Sequence, residues 1–189
     1  MPRNALDNHL VLPLLGLLIE QPAHPYELTQ RLAVRYPSLE ARRSSVTTLV
    51  GSLAAAGLVT AQRRKRVARR PARTTYELTE AGYDLVRQRV TQDLVSARPA
   101  TPALVLALSY IAILPVRTAT ATLRKRLSVL EGDLRSASAA HALPEYQMLE
   151  MDYWRDMLRA DIAWIRTLID RLDGGAIEWP RTTSRGKHA

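Results

Sequence analysis

Residues 43–82 read RSSVTTLVGSLAAAGLVTAQRRKRVARRPARTTYELTEAG, and the pattern changes three times within them. The opening is helical in period. Val46, Leu49, Val50 and Leu53 recur three and four apart and share one face, which leaves Ser45, Thr47, Thr48 and Ser52 on the other. Gly57 is placed to end this helix in a left-handed turn, where a side chain would clash. Leu58-Val59 begins a strand, and residues 74–78, rich in β-branched and aromatic side chains, form a second. Of the twelve residues 62–73 between them, seven are Arg or Lys and none is acidic, so this run is a hairpin loop suited to a polyanion. Thr79, Glu80 and Gly82 then start a helix carrying Tyr83, Leu85, Val86 and Val90.

Upstream, a first helix is expected from an N-cap at Asp7 or Asn8, with Leu10, Leu14, Leu17 and Leu18 along one side. Gln21-Pro22 and His24-Pro25 end it near Glu20. Pro25 opens a second helix at its first position, where a missing N–H costs nothing; Tyr26, Leu28, Leu32 and Ala33 are read as its inner face and Pro37 closes it. Three helices, a basic two-stranded hairpin and a fourth helix follow the order of a winged helix-turn-helix. The fold class expected is mainly α with an α+β wing.

Downstream, Pro99 and Pro102 mark a junction at residues 97–101. The apolar run 103–114 is too short to span a bilayer and reads as a buried core helix. Beyond Pro115, Val116, Thr120, Leu123, Leu127, Leu130, Leu134 and Ala137 form a heptad seam, and after Pro144 a second seam comprises Met151, Leu158, Ile162, Ile165, Ile169 and Leu172. Trp154, Met157, Trp164 and Leu168 make a stripe beside it. A helix apolar on two sides needs two neighbours, one of which is expected to be a second subunit through Leu158, Ile162, Ile165 and Ile169; a broad face inside a single bundle is the alternative. The domains expected are 1–98, the winged helix-turn-helix; 99–173, a helical dimerisation domain able to hold an effector; and 174–189, a tail without fixed structure.

Composition narrows the function. The 47% hydrophobic content supports a real core, and the absence of cysteine excludes disulfides, thiolate zinc sites and a cysteine nucleophile, as in a reducing cytoplasm. The net charge of +9 lies mostly in residues 1–100, with 15 basic against 8 acidic side chains, compared with 12 against 10 in residues 101–189. Phosphate-binding loops, nucleophile elbows and metallohydrolase motifs are missing, so an enzyme, a cofactor and a metal are not expected, and His9 and His141 have no neighbours at metal-ligand spacing. His24, Tyr26, Tyr76 and Tyr83 are read as structural. A membrane partner is not expected, and cytoplasmic location is.

Several segments resemble the PadR family of bacterial transcriptional regulators, in its longer members with an extended helical C-terminal domain. They are Leu14-Leu15-Gly16-Leu17-Leu18, His24-Pro25-Tyr26-Glu27-Leu28, Ser44-Ser45-Val46-Thr47 through Gly57-Leu58-Val59, and Tyr76-Glu77-Leu78-Thr79-Glu80-Ala81-Gly82. Leu108-Ser109-Tyr110 through Leu114-Pro115 and Asp161-Ile162-Ala163-Trp164-Ile165 extend the resemblance. It implies a homodimeric regulator, a repressor of an inverted-repeat double-stranded DNA operator, relieved by a small aromatic or hydrophobic effector. Where the family carries Gly and Tyr in the third helix this chain has Ser44 and Thr47, so a contact made by that tyrosine does not transfer.

On this plan the third helix enters the major groove, with Arg43, Ser44, Ser45, Thr47 and Thr48 as contacts, one of the two serines also capping. Arg64, Arg66, Arg69, Arg70 and Arg73 of the wing would meet phosphates or the minor groove. Tyr110, Met148, Met151, Trp154 and Trp164 are candidate linings of an effector pocket, with core packing as the alternative. Two other functions stay open: a winged-helix module that binds protein without reading DNA sequence, and an RNA-binding protein, the latter weakened by the absence of Phe and of clustered aromatics for base stacking.

Overall fold

The computed structural model describes residues 6, 8–62, 74–138 and 144–180. Its elements are α1 (Val11–Glu20), α2 (Pro25–Arg35), α3 (Arg43–Ala55), β1 (Val59–Gln62), β2 (Thr75–Leu78), α4 (Glu80–Ser96), α5 (Pro102–Ser109), α6 (Val116–Ala137) and α7 (Leu149–Asp173). They divide into two compact units, residues 1–89 and 90–189, with the division inside α4. The first is a winged helix-turn-helix; the second is helical.

In the first unit α1 is buried on nearly every side, as a helix apolar all round must be. It begins at Val11, later than an Asn8 cap requires, although the Asn8 side chain does accept from the Leu10 N–H at 2.9 Å. His24 caps α2: its Nδ1 accepts from the Tyr26 N–H at 3.1 Å, and Pro25 occupies the first helical position. Its role is therefore structural, as read from the sequence. Leu28 and Leu32 are fully buried, but Tyr26 and Ala33, expected beside them, are exposed.

Helix α3 follows Arg42, which offers no side-chain cap, so neither Ser44 nor Ser45 serves as the cap; both sit inside the first turn. Its other end matches expectation. Gly57 has φ +73°, its N–H donates to the Ala54 carbonyl, and the Leu58 N–H donates to the Leu53 carbonyl, the paired bonds of a Schellman turn. The turn delivers the chain into β1, which pairs antiparallel with β2 in the register Val59 to Leu78 through Gln62 to Thr75. Ala23, in the α1–α2 connection, exchanges both backbone bonds with Tyr76 and adds a third edge that the sequence did not announce. The Thr79 hydroxyl donates to the Gly57 carbonyl at 2.7 Å and accepts from the Gly82 N–H at 3.1 Å, tying the start of α4 to the end of α3.

In the second unit the apolar run is not one helix. Thr101 caps α5, which stops at Ser109, and a 3-10 turn at Ile111–Ile113 follows. Pro115 accounts for the end of that turn, because Leu114 before it is pushed into the extended region, with φ −85° and ψ 144°; the stop at Ser109 lies too far upstream to share this cause. Helices α6 and α7 form the main packing of this unit, with Leu130, Ala137, Leu158 and Ile162 buried together. Residues 174–180, expected to be loose, include Trp179, whose indole Nε1–H donates to the Leu114 carbonyl at 2.9 Å. Among the described residues no helix is long and apolar enough to cross a membrane.

Candidate nucleic-acid interface

Helix α3 separates its two faces completely. Val46, Leu49, Val50 and Leu53 are buried, whereas Arg43, Ser44, Ser45, Thr47 and Thr48 are all exposed along one side. The hydroxyls are short and only partly committed. Thr47 Oγ1 donates back to the Arg43 carbonyl at 2.9 Å and keeps its lone pairs for an incoming donor. The five helix candidates are thus brought onto one solvent-facing surface. The wing candidates Arg64, Arg66, Arg69, Arg70 and Arg73 lie outside the described residues.

Two side chains that the sequence pattern did not place here join this surface. Tyr26 is 39% exposed, and the Arg43 guanidinium lies over its ring, 5.0 Å from the centroid. Gln30, one turn along α2, donates from Nε2 to the Tyr26 hydroxyl at 3.0 Å. The helical period held the signal for Tyr26: a residue two before Leu28 and six before Leu32 is turned about 200° to 240° from them at roughly 100° per residue. Grouping it with them gave apolar character more weight than period.

The C-terminal candidates separate into different environments. Leu158, Ile162, Ile165 and Ile169 are all buried within the single chain, so this seam is an internal face of the second unit. Beside it Trp154, Met157 and Leu168 are half-buried and Trp164 is 49% exposed. Of the five effector candidates, Met151 and Trp154 share a cleft of about 610 Å³ with Pro99, Arg126, Val129 and Asp133, whose walls do not include Tyr110, Met148 or Trp164. Tyr110 and Met148 are buried side chains.

Arg126 carries no distinguishing mark in the sequence. Its side chain is fully buried, donating to the carbonyls of Leu94 at 3.2 Å and Ala97 at 2.7 Å and to Asp161 Oδ2 at 2.6 Å. An arginine in a heptad helix is ordinarily solvated, and no composition signal marks the exception. Among the described residues no group of three His, Asp or Glu side chains is placed to hold a metal ion.

Residues 14–88 match the model of the transcriptional regulator PadR-like family. No curated protein matches the chain. Among solved structures, Bacillus subtilis PadR in complex with operator DNA is 16% identical, covering 88% of this chain and 100% of its own, with a TM-score of 0.42. The PadR-like transcriptional regulator BC1756 from Bacillus cereus is 11% identical over 87% of this chain and 98% of its own, with a TM-score of 0.37. The Vibrio cholerae virulence activator AphA is 21% identical over 86% and 94%, with a TM-score of 0.34.

Proposed function

We propose that this chain, whose residues 14–88 match the PadR-like transcriptional regulator family, is a DNA-binding regulator of that kind that represses genes by binding an inverted-repeat operator as a homodimer and lets go when a small aromatic or hydrophobic effector binds. The observation that carries the DNA-reading part is the exposed row Arg43, Ser44, Ser45, Thr47 and Thr48 on a helix whose opposite face is wholly buried. Side chains of this size at the N-terminal end of a recognition helix reach base edges in the major groove. The wing arginines supply sequence-independent affinity to phosphates.

The dimer takes the stripe left uncovered in α7, Trp164 with its half-buried neighbours Met157 and Leu168, because the seam of Leu158, Ile162, Ile165 and Ile169 is already filled. A two-fold pair sets two recognition helices on half-sites about one helical turn, roughly 34–36 Å, apart. The effector is assigned to the second unit, where the cleft at Met151 and Trp154 offers an apolar wall. This leaves residues 1–98 for DNA, 99–173 for pairing and effector binding.

Selection of bound sites from random duplex DNA tests the reading directly. An inverted repeat is expected; sites without symmetry, or no enrichment, would refute it. Replacing Arg64, Arg66, Arg69 and Arg70 by Ala is expected to lower affinity for every duplex alike and to reduce the log–log salt slope by about 0.9 for each phosphate no longer neutralised. Equal binding of single-stranded RNA, or no duplex binding at physiological salt, would favour the other two functions.

A further inference from the structure

We propose that Tyr26 is a positioning residue that holds Arg43 as a rigid guanine reader, so that specificity is shared between the starts of α2 and α3 and does not rest on α3 alone. The inference builds on the operator-binding reading above and goes further by naming the base and the device. Arg43 is the first residue of α3, exposed and paired with no carboxylate among the described residues, while Arg31 and Arg35 in the same unit pair with Glu20 and Arg87 pairs with Asp84. Its charge is therefore uncommitted, and what fixes it is the Tyr26 ring 5.0 Å away.

Tyr26 is itself held at two points, one on its backbone and one on its ring. The Tyr26 backbone N–H donates to His24 Nδ1 at the helix cap, and the phenol oxygen accepts from Gln30 at 3.0 Å. Arginine loses considerable rotamer freedom when it binds, and a guanidinium already lying on an aromatic face has lost part of it beforehand. A stacked guanidinium keeps its planar fork of N–H donors free at the edge. The base edge that matches such a fork is guanine, whose O6 and N7 accept two parallel hydrogen bonds in the major groove. Thr47 and Thr48, one turn further along the same face, make single hydrogen bonds and cannot impose a purine by fork geometry.

Site selection from random duplexes with the full-length protein and its Tyr26→Leu, Tyr26→Phe and Arg43→Lys variants decides the matter. Wild type is expected to demand one guanine per half-site, by roughly 5- to 150-fold over other bases. Arg43→Lys, which keeps the charge but not the fork, should relax that position alone, and Tyr26→Leu should relax the same position by a smaller factor. Tyr26→Phe, which keeps the ring, should rescue it. Adding Tyr26→Leu to Arg43→Ala should change nothing further. Evenly lowered affinity in Arg43→Lys with the guanine preference intact would make Arg43 a phosphate contact and overturn the proposal, as would independent losses in the double variant. Should Tyr26→Leu unfold, Tyr26→Gln, which removes the ring at this exposed helical position, takes its place, and an undiminished guanine preference in it would overturn the proposal. Failure of wild type to enrich any site would instead refute the operator reading itself.

Discussion

Helices α3 and α7 follow the same rule on their buried faces and opposite rules on their outer ones. Both carry apolar residues three and four apart, and both bury them. Opposite those residues α3 shows serines, threonines and an arginine with no acidic partner among the described residues. On α7, Arg155 pairs with Asp152, Arg159 with Asp156 and Arg166 with Glu131, while Asp161 holds the buried Arg126. Charges neutralised within the chain have little to offer a polyanion. Small hydroxyls and an uncommitted guanidinium do, which is why the proposed DNA contact falls on α3, while the charges of α7 are spent within the chain and only its apolar stripe at Trp164 stays uncovered.

The widest test of this contrast is to remove one charge from each helix. Asp161→Ala leaves the Arg126 guanidinium buried without its counter-ion and should destabilise the chain by about 3–5 kcal/mol, measured by urea denaturation. Replacing both partners with apolar side chains, Arg126→Met with Asp161→Leu, should recover most of that loss, since neither then leaves a buried charge. Arg43→Ala, on the exposed face, should stay within about 0.5 kcal/mol of wild type. Similar losses in Asp161→Ala and Arg43→Ala would erase the distinction.

The second test sits where strand and helix meet. A Cβ at Gly82 would lie 2.2 Å from the Leu58 carbonyl oxygen and 2.7 Å from Leu78 Cδ1, so α4 must retreat from the hairpin to admit it. Gly82→Ala is expected to cost about 1–3 kcal/mol by overpacking, read from the same denaturation curve. It should weaken DNA binding only as far as it unfolds the wing's base.

How much of this was legible in the sequence depended on whether a residue's role is set locally. The Gly57 turn, the Pro25 helix start, the division of α3 into two faces and the α6 and α7 seams all follow from period and backbone stereochemistry, and all are found. Roles set by distant partners were not readable. The Ala23–Tyr76 bridge joins residues 53 positions apart, the Arg126–Asp161 pair 35, and the Trp179 indole reaches the Leu114 carbonyl across 65. The candidate site divides in the same way. The α3 row was visible because it is the complement of a periodic core, whereas the Tyr26 platform needs α2 and α3 side by side.

A narrower test compares the two faces by function. Thr47→Ala and Thr48→Ala should leave the denaturation midpoint nearly unchanged while altering discrimination among operators by about 1–3 kcal/mol, measured by competition between related duplexes at fixed salt. Retention of the wild-type site profile by both variants would move base readout off this row.

The smallest effect expected separates scaffold from contact within the interface. His24 caps α2 through Nδ1 to the Tyr26 N–H and is only half-buried, so its loss removes one capping bond and little packing. His24→Ala should cost about 1 kcal/mol, the ordinary value of an N-cap, and His24→Asn should restore it because Asn supplies the same kind of acceptor at the same position. The cap bond ends on the residue whose ring supports Arg43, so fraying at the start of α2 should reach the interface in attenuated form. Amide hydrogen exchange at Tyr26 and Glu27 would report the fraying and duplex competition its consequence. Faster exchange with unchanged discrimination would show that the Tyr26 ring is held by Gln30 alone. Loss of discrimination that Asn does not restore would instead make His24 a contact in its own right.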